Sequence, residues 1–139
     1  VFEKWIKISK PGFDQIVNKC IDYGITPLIE NTYEKDTELL EILFNNYKDL
    51  RFCLDIGHTN CFSQIDIFEW IDKFKDKIKS VHVHDNSETE DSHLDLFSGN
   101  IDLNNIFSIL KNIKEIRFNL ETEINSFSKN FTKLQELIK

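Results

Sequence analysis

Residues 78–85 read Ile-Lys-Ser-Val-His-Val-His-Asp. Side chains alternate faces along a strand, so Val81 and Val83 share one face while His82 and His84 share the other. The stretch is therefore a strand with an aliphatic face and an imidazole face, running into the carboxylate of Asp85. The same pattern recurs three more times. An apolar run from Ile25 closes on Leu28-Ile29-Glu30. The run Phe52-Cys53-Leu54-Asp55-Ile56 has His58 just beyond it, and Ile116 to Leu120 is followed by Glu121. In the first, Ile25 and Ile29 oppose Leu28 and Glu30. In the second, Phe52, Leu54 and Ile56 oppose Cys53 and Asp55. In the last, Ile116, Phe118 and Leu120 oppose Arg117, Asn119 and Glu121.

Between these runs the apolar period becomes helical. Phe13, Ile16, Val17, Cys20 and Ile21 precede Gly24, where a helix stops. Leu39, Leu40, Ile42, Leu43 and Tyr47 form a second helix. Ile67, Phe68, Trp70, Ile71 and Phe74 form a third, with Asp66 as N-cap and Glu69 three residues on. Leu103–Ile113 is a fourth, and Phe127, Phe131, Leu134 and Ile138 mark the last. Such alternation predicts right-handed crossovers and a parallel sheet. Two architectures satisfy it. An open, doubly wound sheet suits 139 residues, whereas a complete eight-stranded barrel takes about 250 residues, so this sequence supplies half of one.

Length favours the open sheet, but the strand ends favour the barrel. An open sheet needs ligand-type residues only at its switch point, whereas all strand ends of a barrel converge on one mouth. Taken singly, each polar residue fits a solvated face, a helix cap or a loop acid equally well. Their repetition in four strands favours convergence. The predicted fold is α/β: half of a (β/α)8 TIM barrel with four parallel strands alternating with helices, residues 1–139 forming a single domain. Pro27 is the one awkward residue, because inside a strand it removes a ladder donor.

Composition narrows the function classes. Lys and Arg total 17 against 24 Asp and Glu, for a net charge of −7, and Arg51 and Arg117 are the only arginines. Nucleic-acid affinity comes mainly from Lys and Arg, so a nucleic-acid partner is not expected. No apolar run reaches the roughly 20 residues of a membrane span, and no signal-peptide pattern stands at the start, although the sequence opens on Val1. Three cysteines without metal-finger spacing suit a reducing, cytoplasmic setting.

Glu30, Asp55, His82 and Glu121 are separated by 25, 27 and 39 residues, about one strand-helix unit each with the last stretched by an insertion. Two glutamates, an aspartate and an imidazole make a mixed N/O donor set, which suits Zn²⁺ or Mn²⁺ and, less well, Mg²⁺. The insertion, Asn86 to Asn100, carries Asp91-Ser92-His93. With Glu88, Glu90 and Asp95 alongside, it also reads as a solvated acidic loop.

LIENT, LDIGH, VHVHDN, DSH and LETE, in that order and spacing, resemble the C-terminal half of the xylose-isomerase-like TIM-barrel superfamily. That group includes sugar phosphate isomerases/epimerases and the endonuclease IV type of apurinic endonuclease. The resemblance runs from about Phe13 to the last residue. It implies that Glu30, Asp55, His82 and Glu121 hold one divalent metal ion, with Glu30 and Glu121 also exchanging the substrate's proton. His58 would contact the substrate, or join Asp91 and His93 at a second metal. His84 would lie at the substrate or, with Asp85, behind the metal ligands. The implied activity is a metal-dependent sugar (phosphate) isomerase/epimerase in carbohydrate metabolism. A multi-metal apurinic endonuclease and an inactive half-barrel are the alternatives. Two departures stand out. Phe97-Ser98-Gly99-Asn100 replaces the Gly-x-Gly often found after Asp-x-His, and the N-terminal half of the barrel is missing. Four strands leave two open edges, so an N-terminal half-barrel or a homo-oligomer is expected beside the small-molecule sugar.

Overall fold

The computed structural model describes residues 2–139. A long helix, α1 (Phe2–Asp22), precedes β1 (Leu28–Glu30), α2 (Glu38–Asn46), β2 (Arg51–Asp55), α3 (Ile56–Phe62) and α4 (Ile67–Phe74). Then follow β3 (Ile78–Val83), α5 (Leu103–Leu110), β4 (Arg117–Leu120), a 3-10 turn (Ile124–Ser126) and α6 (Phe127–Leu137). The four strands are parallel and lie in the order β1-β2-β3-β4. That order has no reversal, so the doubly wound alternative is not the fold. Sequential parallel strands, each followed by helix, are half of an eight-stranded barrel.

The aliphatic strand faces carry the core. Phe52, Leu54, Ile78, Val81 and Val83 are buried against Leu40, Leu43 and Phe44 of α2, Trp70, Ile71 and Phe74 of α4, and Leu103, Ile106, Phe107 and Leu110 of α5. Phe52 is the hub, with ring centroids 6.1 Å from Phe44, 6.1 Å from Trp70 and 5.5 Å from Phe74. The opposite sheet face is polar. Asn119 Nδ2 donates to Ser80 Oγ at 2.8 Å across β4 and β3, and Leu28 is exposed there.

Three elements differ from their sequence reading. The first helix begins at Phe2, well before Phe13, and contains Pro11, which cannot donate to the preceding turn. Contacts around the proline hold that stretch: Lys10 Nζ lies 2.7 Å from Asp14 Oδ1, the Tyr47 hydroxyl donates to Asp14 at 2.8 Å, and Trp5 packs edge-on against Phe13. β1 starts only at Leu28, so Pro27 precedes the ladder and its carbonyl accepts from Arg51 N–H at 2.9 Å. The third difference is α3, which no apolar period announces. Ile56 opens this helix instead of ending β2, because Asp55 caps it, Oδ1 accepting from His58 N–H at 2.8 Å. Elsewhere the expected signals operate. Gly24 takes φ +66° after α1, and Asp66 caps α4 by accepting from Phe68 N–H at 2.9 Å.

Phe52 has no exposed surface, so Phe52→Ala leaves a cavity where three aromatic rings meet. The variant should lose about 3–5 kcal/mol of unfolding free energy, read from the midpoint of a urea titration at unchanged slope.

Candidate metal centre

Strand register decides which side chains meet. Asp55 of β2 is the Cα partner of His82 in β3, and Glu30 of β1 is the partner of Cys53 in β2. Glu121 follows β4 directly, its N–H bonded to Val83 O at 3.1 Å. Glu30, Asp55, His82 and Glu121 thereby converge at the C-terminal end of the polar sheet face. His82 Nδ1 lies 3.5 Å from Glu30 Oε1, 3.5 Å from Asp55 Oδ2 and 3.0 Å from Glu121 Oε1. Ligand atoms at about 2.0–2.2 Å from a cation stand roughly 2.8–3.6 Å apart in octahedral or tetrahedral arrangement. Asp55 Oδ2 and His82 Nδ1 are buried with no hydrogen-bond partner, a costly state that a bound cation relieves. The donor set fits a divalent ion on spacing and chemistry alike.

The electrostatics agree. Burial opposes ionisation of Asp55, but His82, His84 and the His58 backbone N–H outweigh it and hold its carboxyl far below the usual carboxylate range. Asp55, with the Cys53 thiol beside it, pushes the His82 imidazole up to about 11. Burial raises Glu30, against the opposing pull of His82.

Asp55 is fixed from every side. Asn31 clasps its backbone, Nδ2 donating to Asp55 O at 3.0 Å while Asp55 N–H donates to Asn31 Oδ1 at 2.8 Å. His84 Nε2 stands 3.1 Å from Asp55 Oδ1. The His84 ring has no exposed surface and stacks on His93, with centroids 3.9 Å apart. It thus faces Asp55 and His93, an arrangement suited to orienting a ligand from behind. Gly57 is required above it, because an added Cβ would land on the His84 ring.

A second group forms beside the first. A backbone carbonyl only accepts, so the 2.8 Å contact between His58 Nδ1 and Asn31 O puts the proton on Nδ1. His93 Nδ1 likewise donates to Glu121 O at 2.7 Å. The remaining ring nitrogens, His58 Nε2 and His93 Nε2, lie 3.1 and 3.3 Å from Asp91 Oδ2. The Asp91 carboxylate thus stands between the two imidazoles, beside the first group.

The insertion owes this placement to Asp85, buried at the end of the VHVHD stretch. Its Oδ1 accepts from Asn86 and Ile101 N–H and its Oδ2 from Gly99 N–H, at 2.9, 3.2 and 2.9 Å. Its backbone pairs with Leu94 in both directions. Gly99 lies so close that a Cβ would strike Asn86 O and Asp85 Oδ1. Asn130 of α6 ties the far side, accepting from Leu96 N–H at 2.9 Å and donating to Asp95 Oδ1 at 2.7 Å. His93 itself adopts φ +46°, a strained backbone of the kind that gathers at functional sites. Asn31, Cys53, Gly57 and Asn130 are the site-shaping residues that sequence reasoning missed as such. For Cys53 a signal existed, since its parity matches Asp55.

Residues 5–139 match the family described as xylose isomerase-like TIM barrel. The uncharacterised protein MJ1614 of Methanocaldococcus jannaschii is 32% identical over 124 residues, covering 84% of this chain and 47% of that protein. MJ1311 of the same organism is 31% identical over 137 residues, covering 90% and 45%. Among solved structures, the TTHB071 protein from Thermus thermophilus, soaked with ZnCl2, has the same fold with a TM-score of 0.78 at 21% identity, covering 99% of this chain and 55% of that one. A D-tagatose 3-epimerase-like protein gives a TM-score of 0.75 at 27% identity, covering 91% and 51%. The chain spans about half the length of each relative.

Three expectations follow from this geometry. Folding raises His82 above its ordinary 6.5, so its contribution is complete below that pH and is lost as pH climbs toward about 11. Asp55 is lowered, so its contribution is present above its ordinary 3.8 and lost as pH falls. Chelator-treated protein should therefore melt at falling temperature from about pH 6 to about pH 9. A cation that displaces one proton from His82 should bind about tenfold more tightly per pH unit over that range, and a flat calorimetric profile would refute this. Gly57→Ala, by displacing His84 from Asp55, should weaken the same affinity roughly 10–100-fold.

Proposed function

Because this chain belongs to the xylose isomerase-like TIM-barrel family, we propose that it is the C-terminal half of a metal-dependent sugar or sugar-phosphate isomerase/epimerase. In this reading residues 1–139 form one domain. The observation that carries it is the ring of Glu30, Asp55 and Glu121 carboxylates at 3.0–3.5 Å from His82 Nδ1, with Asp55 Oδ2 left without a partner. These four residues would hold the ion, and the likeness to a D-tagatose 3-epimerase-like protein supports a sugar substrate.

The chemistry is proton transfer next to a carbonyl. A bound Zn²⁺, Mn²⁺ or Mg²⁺ ion would polarise that carbonyl and offset the charge of the enediolate. Glu30 is the stronger candidate base, since burial raises its carboxyl and a more basic carboxylate abstracts a carbon-bound proton more readily. Glu121 would return the proton from its own place in the same group. His58 stands 3.3 Å from Glu30 Oε1, within reach of a hydroxyl on the same substrate. His84 supports Asp55 from behind. The polar sheet face and the free edges of β1 and β4 call for a covering partner, an N-terminal half-barrel or a second copy of the chain. Among the described residues no helix is long and apolar enough to cross a membrane. The free thiols of Cys20, Cys53 and Cys61 suit the cytoplasm.

One observation favours a second reading. His58 Nε2 and His93 Nε2 flank Asp91 Oδ2 at 3.1 and 3.3 Å, and a second cation among them would make a multi-metal centre of the kind that suits phosphodiester cleavage at abasic DNA. The net charge of −7 weighs against a DNA substrate.

The completed barrel should incorporate deuterium from heavy water into a ketose or ketose phosphate. Glu30→Gln keeps the shape and removes the abstracting base, so exchange should vanish even at saturating metal. Cleavage of an abasic-site duplex without exchange on any sugar would replace this reading with the second, and silence on both would mark an inactive half-barrel.

A further inference from the structure

Cys53 has no task in the proton-transfer scheme, yet it stands inside the candidate centre. It lies on the polar sheet face, in register with Glu30 of β1 and Ser80 of β3, two residues before Asp55. It is 5% exposed. One carboxylate oxygen of Glu30, Sγ of Cys53 and one ring nitrogen of His82 all lie within 4.8 Å of one another. Asp55, His82 and Glu121 form another group at the same spacing, so the two groups share His82.

A buried cysteine commonly acts as a small apolar filler, but its surroundings do not fit that task. Its neighbour on β3 is Ser80, bonded in turn to Asn119, and its neighbour on β1 is the carboxylate of Glu30. The aliphatic core lies on the other side of the sheet. Independent of the thiol, the fully buried Asp55 side chain turns Oδ2, which has no hydrogen-bond partner, toward His82 Nδ1 at 3.5 Å. A cation near His82 would meet oxygen and nitrogen donors from one group and sulfur from the other. Cys20 and Cys61, both partly exposed, belong to no such group among the described residues.

We propose that Cys53 is a sulfur ligand of this centre, binding with Glu30 and His82, and that it makes the site select a thiophilic divalent ion such as Zn²⁺ over Mn²⁺ or Mg²⁺. The inference rests on the metal centre proposed above and adds the identity of the ion. Thiolate sulfur favours Zn²⁺, while a set of carboxylates and one imidazole alone accepts the harder ions as well. As the sulfur–metal bond forms, the thiol gives its proton to solvent.

Co²⁺ titrated into the chelator-treated chain reads sulfur ligation directly, because a thiolate ligand produces a near-ultraviolet charge-transfer band that oxygen and nitrogen ligands do not. The band should appear in the unaltered chain and in Cys20→Ser/Cys61→Ser, where Cys53 is the only thiol, and vanish in Cys53→Ser. In competition titrations, Cys53→Ser should lose at least about tenfold in Zn²⁺ affinity, the scale of disturbing even a supporting contact, while Mn²⁺ affinity stays within about threefold. Should Cys53→Ser fold poorly, the double variant alone decides the matter. Co²⁺ bound there without the band, or a band that persists in Cys53→Ser, overturns the sulfur ligand and leaves the metal centre standing. No Co²⁺ binding at all overturns both.

Discussion

The Asp55 carboxylate is buried completely at the end of β2, and the mouth of the sheet is organised around it. A buried carboxylate is tolerated only when its oxygens are matched by donors or cations. Oδ1 receives the His58 N–H and faces His84, while Oδ2 faces His82 and has no hydrogen bond. The same side chain caps α3, so the helix that carries His58 starts where the charge requires it. The Asn31 clasp then fixes the Asp55 backbone and offers the carbonyl that orients His58. Side-chain placement, helix start and imidazole tautomer thus follow from one desolvated charge.

Asp85 plays the corresponding part for the insertion. Its carboxylate is buried like that of Asp55, but backbone N–H groups from residues 86, 99 and 101 satisfy it. That difference separates their tasks. A carboxylate saturated by backbone donors has no remaining demand for a cation and works as a clamp, whereas one with an orphaned oxygen demands one. Through the clamp, a loop of acidic composition is folded back so that Asp91 and His93 reach the neighbourhood of Glu121.

The sheet divides its labour by parity. One face packs Phe52, Leu54, Val81 and Val83 against α2, α4 and α5, which provides the rigidity that a ligand set needs. The other face carries the donors and, below them, Ser80, Asn119 and Arg117. The hydrophobic face makes the fold and the polar face carries the candidate site, and neither can exchange its role without a one-residue slip that reverses every side chain.

Much of this was legible in the sequence, because strand parity, helix period and caps are local properties. The alternation of Val81 and Val83 with His82 and His84 is enough to assign both sheet faces. Apolar periods located α2, α4, α5 and α6, and the carboxylate closing each strand marked the end where donors gather. What the chain alone left open depends on contacts between distant residues. Sequence pattern allowed both a sequential strand order and a reversed one; packing chose the sequential order. α3 has no apolar stripe and exists through the Asp55 cap. Asn31 and Asp55 are 24 residues apart and Asn130 and Leu96 are 34 apart, separations over which no period carries information. Cys53 sat on the right face all along, but only the register that sets it beside Glu30 and near His82 makes it a candidate ligand. Local alternation can say which way a side chain points; what it meets is decided by the neighbouring strand.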